Sequence, residues 1–136
     1  MKIFLDTADQ WAIKDYWETG LIDGVTTNPT LIMKSHKDPD TVYQAIKDIG
    51  VPDISMEVMG NADEMIAEGH RLFEKFGLCS TIKVPMTRDG LKACKKLSDH
   101  GINVNVTLIF SAAQAVLAAR AGAKYVSPFV GRLDDQ

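Results

Sequence analysis

Short runs of β-forming residues alternate with segments of helical periodicity along the whole chain, and this alternation limits the fold more than any other feature. The runs are Lys2-Asp6, Ile22-Thr26, Asp53-Val58, Ser80-Val84, Ile102-Thr107 and Lys124-Ser127. A strand, helix, strand repeat implies an α/β fold with a parallel sheet and right-handed crossovers. Two architectures satisfy it, an open doubly wound sheet and a (β/α)8 barrel. Six strands favour the open sheet by count.

The intervening segments carry their own start and stop signals. Thr7-Ala8-Asp9-Gln10 reads as a capping box for a helix with Ile13, Tyr16 and Trp17 inward and Gly20 as its stop. After a short helical turn from Leu31 to Lys34 and a polar loop, Pro39 opens a helix with Val42, Tyr43 and Ile46 inward. Asn61-Ala62-Asp63-Glu64 starts a helix with Met65, Ile66, Leu72, Phe73 and Phe76 on one stripe. Thr87 caps the next, lined by Leu91, Cys94 and Leu97, and Ser111 opens the last, which Gly122 ends. No linker or composition shift interrupts the series, so residues 1–136 are expected to form a single domain.

Composition excludes several function classes. The chain is 46% hydrophobic and 24% charged, as expected of a protein that buries a core, and its net charge of -3 leaves no basic footprint for nucleic acid or anionic membrane. No apolar stretch approaches the ~20 residues of a membrane span, and the apolar start is too short for a signal peptide, so the cytoplasm is the expected location. Cys79 and Cys94 lack CxxC spacing and are expected to be small hydrophobes without a disulfide. His36, His70 and His100 show neither HxxxH nor HxH spacing, so no metal is expected. Asn105-Val106-Thr107 matches a glycosylation sequon within a strand-like run and is read as coincidence.

The chemistry lies at the strand ends. After the first run, where a dinucleotide or P-loop fold would carry its glycines, stands Leu5-Asp6-Thr7-Ala8-Asp9, which offers no phosphate loop. Instead the runs end in Asp6, Asn28 (just past the second), Glu57, Lys83, Thr107 and Ser127. A barrel assembles its active site from such carboxyl ends. Lys83 sits in the β-branched run Ser80-Thr81-Ile82-Lys83-Val84-Pro85-Met86 and reads as a buried lysine. Burial favours the neutral amine, which attacks carbonyls. Attack on a ketone gives a carbinolamine and then an iminium, with Glu57 and Asp6 available to move protons. The iminium weakens the adjacent carbon-carbon bond, so a β-hydroxy ketone undergoes retro-aldol cleavage. Asn28, Thr107 and Ser127 can hold substrate hydroxyls or a water. Taken singly, Lys83 fits an edge strand facing water, Asp6 a helix cap, Asn28 a turn and Glu57 a solvated strand end. Their joint placement is much harder to obtain by chance.

Five motifs then carry a resemblance: Leu5-Asp6-Thr7-Ala8, Gly24-Val25-Thr26-Thr27-Asn28-Pro29-Thr30-Leu31-Ile32, Ile82-Lys83-Val84-Pro85, Asn105-Val106-Thr107-Leu108-Ile109-Phe110-Ser111-Ala112-Ala113-Gln114-Ala115 and Ser127-Pro128-Phe129-Val130-Gly131-Arg132. In order and over its whole length, the chain resembles the transaldolase family, particularly its short-chain branch. The resemblance implies a (β/α)8 TIM barrel of class I aldolase type, of which about the first six strands are present. It implies transfer of a dihydroxyacetone unit between sugar phosphates: sedoheptulose 7-phosphate with glyceraldehyde 3-phosphate, and erythrose 4-phosphate with fructose 6-phosphate. No metal or organic cofactor is implied.

By motif, Lys83 would form the Schiff base, Glu57 would move protons through a water that Thr107 helps hold, and Asp6 would serve carbon-carbon cleavage. Thr27, Asn28, Ser127 and Phe129 would line the bound three-carbon unit, and Arg132 would grip the substrate phosphate bidentately. The related fructose-6-phosphate aldolases are expected to carry Gln in place of Glu57 and Tyr in place of Phe129, so both positions favour transaldolase. Expected partners are sugar phosphates and further copies of the chain, with neither nucleic acid nor membrane. Members of this branch continue beyond the position of Gln136. The 136 residues alone are therefore expected to lack the last two strands, to be poorly stable and to be weakly active. The alternative of another class is a non-catalytic barrel fragment that self-associates.

Overall fold

A computed structural model of the chain describes residues 1–128. The elements are β1 (Phe4–Asp6), α1 (Gln10–Trp17), β2 (Gly24–Thr26), α2 (Pro29–Lys34), α3 (Pro39–Ile49), β3 (Ile54–Glu57), α4 (Ala62–Phe76), a 3-10 turn (Gly77–Cys79), β4 (Ser80–Pro85), α5 (Arg88–Asp99), β5 (Asn103–Ile109), α6 (Ala112–Arg120) and β6 (Tyr125–Pro128). The strands lie in one sheet in the order β1-β2-β3-β4-β5-β6, with a helix in every connection. This order corrects the reading from strand count. A doubly wound sheet reverses at a switch point, giving an order such as 3-2-1-4-5-6. No reversal occurs here, and the sequential order is that of the first six strands of a (β/α)8 barrel.

By contacts the chain divides into two compact units: residues 1–57 with 72–81, and residues 58–71 with those from 82 onward. In the first unit, Val25, Ile46, Ile54 and Met56 are fully buried. Helix α3 supplies Val42, Tyr43 and Ile46, as its spacing predicts, and the Asp38 side chain caps it by accepting from the Thr41 amide at 3.2 Å. Tyr43 meets Phe76 edge-on, with ring centroids 5.8 Å apart and planes at 84°. Helix α1 departs from expectation at its start and along its apolar face. Its cap is Asp9, accepting from Trp11 N at 3.0 Å, because the Thr7 amide still bonds to the Thr26 carbonyl at 3.1 Å and so remains in the sheet. Only Ile13 of its expected apolar face is buried, and Tyr16 is 52% exposed.

In the second unit, Ile82, Val84, Ala93, Cys94, Leu97, Val104 and Val106 are fully buried. The expected capping box opens α4: Asn61 Oδ1 accepts from Glu64 N at 2.9 Å, and Glu64 Oε1 accepts from Asn61 N at 3.2 Å. Thr87 caps α5 and Ser111 caps α6, through bonds from the amides of Gly90 (3.0 Å) and Gln114 (3.2 Å). Gln114 Oε1 in turn accepts from Phe110 N at 2.8 Å. Among the described residues, no helix is long and apolar enough to cross a membrane.

Both cysteines are free thiols. Burial pushes the Cys94 thiol up to about 11 and raises Cys79 as well, in a half-buried setting. A raised thiol carries little of the reactive thiolate at neutral pH. In a timed alkylation with iodoacetamide at pH 8, peptide mass spectrometry should therefore find Cys79 modified first and Cys94 modified only after denaturation. Equal labelling of the native protein would contradict the buried placement of Cys94.

Candidate active site

Period two along the strands decides which groups are presented. In β3, Ile54 and Met56 are fully buried to one side, while Ser55 and the half-buried Glu57 take the other. In β4, Ile82 and Val84 face away from Thr81 and Lys83. In β5, Val104 and Val106 face away from Asn105 and Thr107, which are 2% and 3% exposed. Each strand thus carries an apolar side that builds the core and a polar side that ends, toward its carboxyl terminus, in a group able to do chemistry.

Within the first unit, the register sets Asp6 opposite Thr26 and Thr26 opposite Ser55. These residues form a row across three strands, with Glu57 two positions beyond Ser55 on the same side. Thr26 Oγ1 donates to Asp6 Oδ1 at 2.9 Å, which holds the exposed carboxylate at the end of β1. Thr27 is fully buried, and its hydroxyl donates to the Ser55 carbonyl at 2.8 Å. That hydrogen therefore pins β2 to β3. Asn28 Oδ1 caps α2 by accepting from Leu31 N at 2.9 Å, with Pro29 in the first helical position. The cap uses the acceptor end of the amide and orients its Nδ2 donors. A groove of about 370 Å³ in this unit is lined by Asp9, Trp11, Leu31, Lys34, Ser35 and Lys37, and its lining includes neither Asp6, Asn28 nor Glu57.

Within the second unit, Lys83 is half-buried rather than enclosed, its chain neighbours Ile82 and Val84 being fully buried. The expectation of a wholly buried lysine is corrected to that extent: Lys83 shares the polar side of β4 with the buried Thr81 but lies nearer the strand's carboxyl end. Ladder bonds fix the strand ends beside it: Val58 N donates to the Lys83 carbonyl at 3.1 Å, and Met86 N to the Thr107 carbonyl at 2.9 Å. Thr107 lies opposite Ser127 in the register, and Ser127 Oγ donates to Asn105 Oδ1 at 2.9 Å. Phe129 and Arg132 lie outside the described residues.

Two features escaped the sequence. Asn105, set aside with the sequon, is a buried amide that orients Ser127, and its separation of two from Thr107 was the available signal. Leu108 is the extra residue of a bulge between Thr107 and Ile109, with φ at 63°. A leucine in the left-handed region costs about 1–3 kcal/mol, and bulges of this kind re-aim side chains beside functional sites. No sequence signal marks it, since the bulge exists only in register with β6.

Comparison with known proteins identifies the family. Residues 3–136 match the family model described as Transaldolase/Fructose-6-phosphate aldolase. Curated relatives include a probable transaldolase of Nitrosopumilus maritimus, 54% identical over 99% of this chain and 61% of its own length. Probable transaldolases of Paracoccus denitrificans and Lactiplantibacillus plantarum are 55% and 52% identical, each over 99% of this chain and 62% of their own length. The chain thus spans about three-fifths of the length of the relatives it matches. With the family model matched over nearly the whole chain and the strands in the sequential order of a (β/α)8 barrel, the chain belongs to the transaldolase/fructose-6-phosphate aldolase family.

Proposed function

We propose that the protein is a transaldolase that moves a dihydroxyacetone unit between sugar phosphates through a Schiff base on Lys83. The observation that carries this reading is the place of Lys83 in β4: an amine on the polar side of a strand whose flanking residues are fully buried. Lys83 Nζ attacks the ketose carbonyl carbon, and the resulting carbinolamine loses water to give an iminium. Glu57 delivers and removes the protons of these steps through a water held by Thr107. Asp6, held by Thr26, takes the proton from the hydroxyl on the carbon being released. The carbon-carbon bond breaks, its electron pair neutralises the iminium as an enamine, and an aldose phosphate leaves. The enamine then attacks the aldehyde of a second aldose phosphate, and hydrolysis frees Lys83.

Asn28 and Ser127 orient the hydroxyls of the three-carbon unit, Ser127 being itself oriented by Asn105. Thr27 acts through the backbone, by fixing the turn that carries Asn28. Phe129 and Arg132 complete the reading as a further substrate-binding residue and the phosphate grip. The substrates are the pairs named above, with fructose 6-phosphate as donor and erythrose 4-phosphate as acceptor.

The family description covers a second activity, release of free dihydroxyacetone, and an acceptor assay separates the two. Glu57 supports transfer, since a carboxylate shuttles protons and an amide cannot. Turnover of fructose 6-phosphate should require erythrose 4-phosphate, and Glu57→Gln should lower kcat by about 10²-fold or more. Turnover indifferent to the acceptor would sink the transaldolase assignment in favour of the aldolase.

A further inference from the structure

A contact in the second unit that neither the fold nor the proposed chemistry uses joins two histidines. His70 lies on α4 and His100 at the C-terminal cap of α5, and their facing nitrogens, Nε2 and Nδ1, are 2.9 Å apart. The ring centroids are 5.0 Å apart and the planes are inclined by 46°. Backbone packing sets this meeting. A Cβ on Gly69 would lie 2.9 Å from Leu97 Cδ2, so the glycine admits Leu97 one residue before His70 and three before His100. The His100 amide bonds to the Leu97 carbonyl at 3.1 Å, which fixes the other partner.

As it stands, one ring N–H donates to the other ring's lone pair. The same spacing suits a metal. Nitrogens bound to one ion at about 2.0–2.1 Å lie about 2.9–3.4 Å apart, so a small rotation of the two rings brings both lone pairs onto one metal. We propose that His70 and His100 form a two-imidazole site for a divalent first-row ion that bonds strongly to imidazole, such as Ni2+, linking α4 to α5. On binding, the donor ring changes tautomer, its facing nitrogen giving a proton to water and its other nitrogen taking one up, so that both facing lone pairs turn onto the metal with no net proton release and waters fill the remaining positions. Among the described residues, no group of three or more His, Cys, Asp or Glu could hold a metal, so the site offers two protein ligands. Such a donor set favours ions that bond strongly to imidazole over the oxygen-seeking Mg2+ and Ca2+. The separation of 30 positions along the chain hid the pair from sequence spacing.

The test is calorimetric titration of tag-free protein with NiCl2, with MgCl2 as control. The expected result is saturable binding of one Ni2+ per chain and no heat from Mg2+. His70→Ala and His100→Ala should each weaken Ni2+ binding by about tenfold or more, the loss of one of two imidazole bonds, and His36→Ala should leave it unchanged. Ni2+ should also raise the melting temperature of the parent protein and not of either variant. His100→Gln keeps a polar partner for His70 and serves if the alanine variants fold poorly. Absence of saturable binding, or binding that survives either substitution, would overturn the proposal.

Discussion

Replacing Lys83 by methionine should reduce turnover by about 10³-fold or more while leaving the protein folded. Methionine keeps most of the side-chain volume and removes the nitrogen that forms the covalent bond. Strand β4 is held by backbone ladder bonds and by Ile82 and Val84, both fully buried. Lys83→Arg separates charge from nucleophilicity. A guanidinium stays protonated and cannot form the Schiff base, so this variant should be as inactive as methionine although the positive charge remains. Steady-state rates and thermal melts on both variants check these statements. A variant that kept substantial turnover would remove Lys83 from the mechanism.

Gly90→Ala should produce the largest loss of stability among glycine-to-alanine changes at the described residues. A Cβ at this position would stand 1.8 Å from the Pro85 carbonyl oxygen and 3.0 Å from its carbon, about half of an ordinary contact distance in the first case. The obstacle is backbone and cannot swing aside. That carbonyl accepts from Thr87 N at 2.9 Å, and Gly90 N donates to the Thr87 side chain at 3.0 Å, so both sides of the contact are tied. Alanine gains about 1 kcal/mol in helix propensity over glycine. Overpacking of a tight site costs about 1–3 kcal/mol, occasionally more, and here it wins because relief requires moving the start of α5 or the end of β4. A fall in melting temperature of about 5–15 °C is expected. Pro85 is two residues from Lys83, so activity should fall along with stability. Unchanged melting would mean that α5 does not pack on the end of β4 as described.

The parts of the fold written locally were the parts open to reading. The strand runs that end at Glu57 and Lys83 were legible, Pro39 marked the first turn of α3, and capping residues located the starts of α4, α5 and α6 at Asn61, Thr87 and Ser111. The start of α1 was misplaced by two residues because Thr7 bonds to β2, a partner that a local pattern does not contain. Counting strands alone favoured the open sheet, whereas the strand ends and the motifs pointed to the barrel, and strand order, not number, separates the two. In the candidate site, the strand-end residues were legible one by one. The links between them were not: Thr26 to Asp6, Ser127 to Asn105 and the bulge at Leu108 all depend on register between strands about twenty residues apart.

Borohydride trapping tests the central claim most directly. The protein is incubated with fructose 6-phosphate and reduced, and its proteolytic peptides are then weighed. A Schiff base on Lys83 predicts a substrate-derived mass increase on the peptide containing Ile82-Lys83-Val84, absent without substrate and absent from Lys83→Met. Consumption of fructose 6-phosphate with no adduct, or with the adduct on another lysine, would contradict it.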